Sequence, residues 1–375
     1  MNINKNQIKE LVYGKVSTQE LKSIAFDKKK ELYSNILTFS PKVFIPLTTL
    51  CQDHCSYCTF VKAPSEGGTY LKESEVIAIA QAGESFNCSE ALFTLGDKPE
   101  RKWNDAKEFL LINECGSTDE YLLNMMKSVI DHTTLFPHAN PGLMNENEII
   151  NYRQYSVSGG LMVESFSTRL LTVGNPHYKC STKSPQLRIN SIKAANNVKY
   201  PMTTGLLIGI GQNENEVVED LWDMYNLTKK FECIQEVIIQ NFVPKVNTLM
   251  AYNPEPAFDF FCRLLAVTRI ILPGKVAIQA PPNLTQDYSK LLDSGINDLG
   301  GISPLTIDLV NPDKLWPDLS TLTMVVEESN QKLISRLPVY PEFINKEWLS
   351  PEMHERVINV VDKNGYTEFT TMESI

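Results

Sequence analysis

The sequence predicts an α/β protein built on a parallel (β/α) barrel, complete or slightly open, with additions at both ends. Three observations predict it. Apolar, β-rich runs recur along the chain, and a polar stretch of helical pattern follows most of them. The runs are almost continuous in hydrophobicity, as strands covered on both faces must be. Run after run then ends in polar residues with Gly or Pro, which is what the functional rim of such a barrel requires. At 375 residues the chain is long enough for one barrel and its additions.

Residues 1–40 read as a helical N-terminal extension. Candidate strands follow at Val43–Thr49, Ala91–Leu95, Thr133–Ala139, Gly160–Glu164, Met202–Ile210, Glu236–Phe242, Val276–Ala280 and Gly295–Ile302. Helical patterns lie between them at Glu73–Ser85, Asp119–Asp131, Asn145–Arg153, Glu214–Lys230 and Phe258–Ile271. Eight units in order place the barrel in residues 41–317, and residues 318–375 read as a helical or irregular extension packed on it. A doubly wound open sheet is the alternative arrangement of the same elements.

Bulk properties narrow the function. Apolar residues make up 42%, enough for a substantial core, and the net charge of −10 disfavours nucleic acid or an anionic membrane as partner. Met1 to Lys15 is polar, without the apolar centre of a secretory leader. No stretch approaches the roughly 20 apolar residues of a membrane span; the run Leu264–Leu272 is broken by Arg269. The expectation is a soluble cytoplasmic protein. Of eight cysteines, five (Cys88, Cys115, Cys180, Cys233 and Cys262) are scattered through separate segments, unlike a disulfide framework.

The other three form Cys51-Gln-Asp-His-Cys55-Ser-Tyr-Cys58, spacing C-x3-C-x2-C, directly after the first candidate strand. Three thiolates so placed can hold three irons of one [4Fe–4S] cubane per chain. The fourth iron keeps an open position, the mark of a reacting metal rather than a structural one. S-adenosylmethionine (SAM) can chelate that iron through its amino and carboxylate groups, and an electron can then break a carbon–sulfur bond. Zinc would want a fourth ligand, and His54 sits too close to its neighbours to serve. A two-cluster ferredoxin would show C-x2-C-x2-C-x3-C in a much shorter chain.

Beyond the cysteines, several segments resemble one family of the radical SAM superfamily: the CofG-type subunit of 7,8-didemethyl-8-hydroxy-5-deazariboflavin (FO) synthase. They are Cys51–Leu71, Glu90–Glu100 with Thr94-Leu-Gly-Asp-Lys-Pro-Glu100, Pro137-His-Ala-Asn-Pro-Gly142, Gln235–Phe242, Ile278-Gln-Ala-Pro-Pro-Asn-Leu284 and Gly295–Pro304. The resemblance spans Val43 to Pro317. It implies a barrel of the radical SAM type and a CofH-type partner, acting directly or through a diffusible product. That partner joins tyrosine to 5-amino-6-(D-ribitylamino)uracil. The CofG-type enzyme closes the deazaflavin ring of the adduct, releasing ammonia, methionine and 5′-deoxyadenosine, and draws on a low-potential electron donor.

The resemblance also implies roles. Cys51, Cys55 and Cys58 would hold the cluster. Tyr57 would pack near the SAM adenine, with plain core packing as its alternative. Gly96 and Asp97 fall where the superfamily contacts the methionine amino group, and Gly205 through Gln212 match its adenine-side strand. Glu164 is a candidate for the ribose diol and Arg169 for the methionine carboxylate. His138 and Asn140 would line the substrate pocket, with Asn241, Lys245, Gln279 and Asn283 beside them. The proton acceptor would be Asp97, His138 or Glu164. Three departures from the family pattern stand out: Gln212 in place of Glu, Val243–Thr248 in place of Arg-Ala-Lys-Pro-Gly-Thr, and His54 with Ser56 in place of Arg and Gly. Rival readings are a menaquinone-pathway or CofH-like enzyme of the same superfamily, and a non-catalytic iron–sulfur or zinc protein.

Overall fold

The computed structural model describes residues 3–285 and 287–368. Eight parallel strands close into a barrel: β1 (Ile36–Thr48), β2 (Glu90–Leu95), β3 (Phe136–Asn140), β4 (Ser158–Gly160), β5 (Met202–Ile208), β6 (Ile234–Asn241), β7 (Ala277–Gln279) and β8 (Asp298–Ile302). Neighbours follow chain order, and β1 shuts the barrel by pairing with β2 along its second half and β8 along its first. The barrel is closed rather than doubly wound. Its thinnest seam lies between β7 and β8, whose ladder has the single residue pair Gln279–Asp298.

Two features were not expected. β1 begins at Ile36, so the boundary drawn at residue 40 falls inside a strand. Ser40-Pro41 reads locally as a break, because proline cannot donate to a ladder. Here Pro41 falls where one edge of β1 passes from β9 to β2, a gap that needs no donor. The second feature is that strand β9 (Lys332–Ser335), which adds to the first half of β1; four residues are too few to announce themselves by periodicity. β4 ends at Gly160, earlier than the run Gly160–Glu164 suggested, and Glu164 meets Leu206 only as an isolated bridge.

The helices of the described chain are α1 (Lys5–Tyr13), α2 (Thr18–Tyr33), α3 (Glu73–Ser85), α4 (Asn104–Ile112), α5 (Thr118–His132), α6 (Glu146–Tyr152), α7 (Pro185–Asn197), α8 (Glu214–Lys230), α9 (Phe258–Ile271), α10 (Leu319–Glu328) and α11 (Pro351–Ile358). α8 shows why these segments are helical. Asn213 and Glu216 form a reciprocal cap at its start, and Lys229 and Lys230 face the negative end of its dipole. α1 and α2 pack on α8 and α9, outside the barrel.

The N-terminal mouth of the barrel is plugged from the C-terminal extension. Arg336, just after β9, meets Asp298 at 2.6 and 2.8 Å and Glu236 at 3.1 Å, and Tyr340 donates to Glu236 at 2.7 Å. Burial, opposed by Arg336, pushes the Glu236 carboxyl up to about 7. With this end sealed, the opposite end carries the openings. No helix among the described residues is long and apolar enough to cross a membrane.

Candidate active site

The loop after β1 lies against the end of β2. Gly96 makes that contact possible: a Cβ there would stand 1.8 Å from the Leu50 carbonyl oxygen and 2.7 Å from Cys51 Cβ. Gln52 N donates to the Asp97 carbonyl at 3.0 Å, Trp103 Nε1 to the Cys51 carbonyl at 2.9 Å, and Ser56 N to the Pro176 carbonyl at 2.9 Å. The loop is therefore tied to two neighbouring segments. Its three thiols, Cys51, Cys55 and Cys58, open on one cavity of about 240 Å³.

Burial pushes the Cys51 thiol up to about 12 and raises Cys58 as well. Cys55 is raised first by a hydrogen bond with Cys180 and then by burial. Cys180, one of the five cysteines read as scattered, thus packs against the motif. Burial outweighs the Lys183 charge and the backbone N–H groups that favour their thiolates, and a bound cation would draw the three thiols to that form. Among the described residues no three His, Cys, Asp or Glu side chains gather closely enough to hold a single metal ion. Soft sulfur donors spread around one cavity, with glycine opposite, suit the corners of a multi-iron cluster.

Glu164 is the electrostatic centre of the same cavity. It stands at φ +68°, a left-handed conformation that non-glycine residues adopt at a cost of roughly 1–3 kcal/mol. The carboxylate accepts from Tyr57 Oη and Lys183 Nζ and lies 3.1 Å from His177 Nε2. Burial alone would raise its pKa, but Lys183, His177 and Arg188 outweigh that and hold it well below the usual carboxylate range. Arg188 is fixed by its bonds to the Thr182 and Met162 carbonyls, while Asp53 takes both the amide (3.1 Å) and hydroxyl (2.5 Å) of Thr182. Lys183, Arg188, Asp53 and His177 were not foreseen. The only local signal was a Lys-Ser-Pro start to α7.

A second cavity, of about 370 Å³, adjoins the first and shares Cys55, Cys58, Asn140, Met162, Glu164 and Lys183 with it. Tyr57, Asn241, Lys245, Gln279 and Asn283 line it. Asn241 Nδ2 donates to the Leu284 carbonyl at 3.3 Å and Asn283 Nδ2 to Asp308 at 3.1 Å; burial lowers Lys245. His138 lies deeper, in a small cavity toward the plugged end, where Nδ1 meets Ser158 Oγ at 2.7 Å. Asn140 borders all three spaces.

Other expected residues sit differently. Asp97 borders the first cavity, yet both its oxygens are engaged, by Gln52 Nε2 at 3.0 Å and Leu143 N at 2.9 Å, and burial raises it. Arg169 lies outside both cavities: its side chain is 42% exposed and paired with Glu216 at 2.7 Å. The cations that do reach the cavity are Lys183 and Arg188. Gln212 also stays outside; it accepts from Gly209 N and Ile210 N and donates Nε2 to the Leu207 carbonyl at 2.7 Å. A glutamate could not make that last bond, so the departure stabilises this turn. Gly205 lets β5 approach Ile238 and Met162, where a Cβ would stand 2.1 Å from the Ile238 carbonyl oxygen.

The Glu164 loop is braced by Asp220 on α8, whose Oδ1 accepts from Ser165 Oγ at 3.0 Å and Phe166 N at 2.6 Å. Oδ2 is buried without a partner, and burial pushes this carboxyl up from 3.8 to about 7. A raised acid binds its proton more tightly folded than unfolded, so it lowers stability as pH climbs from about 4 to about 7. Asp220→Asn keeps both accepted bonds and removes the titration. Relative to this variant, the wild type is expected to lose about 2–4 kcal/mol across that window, at ~1.4 kcal/mol per pKa unit, and nothing further above it. Urea unfolding of both proteins at pH 5 and pH 8 reads the difference; parallel curves would show that Asp220 is already ionised.

Comparison with known proteins agrees with this geometry. Residues 45–222 match the radical SAM superfamily. A 7,8-didemethyl-8-hydroxy-5-deazariboflavin synthase from Methanopyrus kandleri is 38% identical over 333 residues, covering 88% of this chain and 99% of that one. An FO synthase from Nocardia farcinica is 41% identical over 87% of this chain, which spans only 39% of that longer protein. Among solved structures, methylornithine synthase (PylB) superposes with a TM-score of 0.69 at 19% identity, covering 89% of this chain and 94% of that one. The FeFe-hydrogenase maturase HydG from Carboxydothermus hydrogenoformans gives 0.71 at 16%, covering 95% and 84%. At such identities these two establish the barrel alone.

Proposed function

The chain belongs to the radical SAM superfamily and, within it, to the FO synthases, and from that premise we propose that it is the CofG-type lyase. It would take the tyrosine–ribitylaminouracil adduct and form FO, releasing ammonia, methionine and 5′-deoxyadenosine. The observation that carries this is the pair of joined cavities: three thiols and a Glu164–Lys183 pair in one, a larger polar space beside it. A CofH-type partner, acting directly or through a diffusible product, would supply the adduct.

Cys51, Cys55 and Cys58 would hold one [4Fe–4S] cluster, with SAM beside it. Together, when bound and supplied with an electron, these cofactors provide the oxidising carbon radical that starts the reaction. The protein's own part is positioning. Lys183 and Arg188 suit the methionine carboxylate better than Arg169 does, being cations already at the cavity wall. Gly96 borders the same cavity and would offer its backbone to the SAM amino group. Tyr57, fixed through Glu164 and His177, lines the second cavity, and the Glu164 it contacts borders both.

Ammonia leaves as the ring closes, and a group must accept a proton. Burial lowers His138, which favours its neutral, proton-accepting form, whereas both Asp97 oxygens already accept hydrogen bonds, from Gln52 and Leu143. His138 is thus the better acceptor for a ligand reaching the cavity floor. Reduced thiols fit a cytoplasmic setting. The test is turnover of the authentic adduct by cluster-loaded protein, with FO fluorescence as the readout.

A further inference from the structure

Lys42 on β1 is a buried cation without a counter-ion. It borders the floor of the larger cavity, and its ammonium lies 4.8 Å from the Trp316 ring centre. No hydrogen bond or ion pair reaches it among the described residues. The carboxylates near enough to favour its charge are engaged elsewhere: Glu90 by Ser40, Glu236 by Arg336, Tyr340 and Thr203, and Asp308 by Asn283 and Asn311. Burial pushes its pKa down. An ammonium left without a hydrogen-bond partner at a cavity wall is free to donate to whatever enters the cavity.

Two further groups face the same floor. Ser158 Oγ donates to the Pro338 carbonyl at 2.8 Å, so it must accept from His138 Nδ1–H, which leaves Nε2 as an acceptor. Nε2 and Asn140 Oδ1 both lie against Gly160, and as two acceptors they cannot satisfy each other. Asn140 Oδ1 is accordingly buried without a partner. It wants a donor. Gln279 borders the cavity with an amide that can supply either role.

Glycines make room for all three side chains. A Cβ at Gly301 would stand 2.3 Å from Lys42 Cδ, one at Gly300 1.9 Å from Gln279 Nε2, and one at Gly160 2.1 Å from Asn140 Oδ1. Barrel interiors of this kind are ordinarily filled by branched apolar layers. Here apolar filling is replaced by a donor, an acceptor and an adaptable amide beside the flat Trp316 ring.

We infer that Lys42, Asn140 and Gln279 form a binding subsite for the cyclic imide edge of a pyrimidine-dione, C=O, N–H, C=O, with Lys42 donating to a carbonyl oxygen and Asn140 accepting the ring N–H. This rests on the function proposed above and names the part of the adduct that the cavity floor reads. The indole face favours a flat ring over a sugar alcohol, which would need no planar surface. Lys42 is then a specificity-determining residue.

The test uses cluster-loaded protein with SAM and no reductant, titrated calorimetrically with the adduct, with the adduct methylated at the imide nitrogen, and with ribitol. Lys42→Met should weaken adduct binding on the order of tenfold to a hundredfold, the loss of one buried charge-assisted bond. Its iron content and SAM affinity should match the wild type. Methylation should weaken binding to the wild type by a similar factor, a reading that holds even if Lys42→Met fails to fold. Equal affinity for adduct and methylated adduct, or an unaltered Lys42→Met, would overturn the subsite and leave the FO assignment standing. Displacement of the adduct by ribitol would overturn it in favour of a polyol site. No binding of the adduct by the wild type would remove the proposed substrate and the subsite with it.

Discussion

Cys55→Ala is expected to lose the cluster and all SAM cleavage. After anaerobic reconstitution the wild type should carry about four irons and four sulfides per chain, the content of a cubane with three cysteine ligands. Cys55 is the central member of the motif, and its thiol faces the cavity with Cys51 and Cys58. Nothing in the loop replaces it. Cys180, a thiol neighbour from outside the motif, lies on a different segment, so Cys55→Ala should be examined with Cys55→Ala/Cys180→Ala to exclude a substitute ligand. Iron analysis and 5′-deoxyadenosine release are the measurements. Stoichiometric zinc without iron in wild-type protein prepared without oxygen would refute the cluster assignment outright.

Glu164→Ala should have the next largest effect. The carboxylate is not waiting free for a ligand; it already joins Tyr57, His177 and Lys183. Removing it strands the Lys183 ammonium in a buried site, a change that costs about 3–5 kcal/mol of stability. Glu164→Gln keeps an acceptor for Tyr57 and should cost less. If Glu164 also holds the ribose diol of SAM, affinity in that milder variant should still fall, by about 1.5–3 kcal/mol, through loss of a charged acceptor. Unfolding curves for the alanine variant and SAM titrations of the glutamine variant separate the two roles. Unaltered SAM affinity in Glu164→Gln would reduce Glu164 to a support of the fold.

The barrel was legible because its strands are buried on both faces and so read as apolar runs, with β2, β5 and β6 found nearly to the residue. β1 was cut short by Ser40-Pro41, a local break that the change of partner strand makes harmless. The cysteines were legible for another reason: their chemistry depends on neighbours in sequence, so spacing alone carries it. Cys180 and Lys183 come from the irregular segment after β4 and Arg188 from the first turn of α7, and only the closed barrel brings them to Cys55. Arg169 shows the converse. Its forked donors suited a carboxylate, but the carboxylate it meets is Glu216 on α8. Lys42 was hidden inside a predicted strand border, where a charged residue reads as solvent-facing until the glycines opposite it are seen to leave it a cavity.

The most direct measurement of the central claim is a single anaerobic turnover experiment with cluster-loaded protein, SAM, a low-potential reductant and the authentic tyrosine–ribitylaminouracil adduct. FO fluorescence should rise, with ammonia, methionine and 5′-deoxyadenosine appearing in proportion to it, and Cys55→Ala should give none of the four. SAM cleavage that proceeds without FO, in protein carrying a full cluster, would contradict the assignment and show that these cavities are shaped for another substrate.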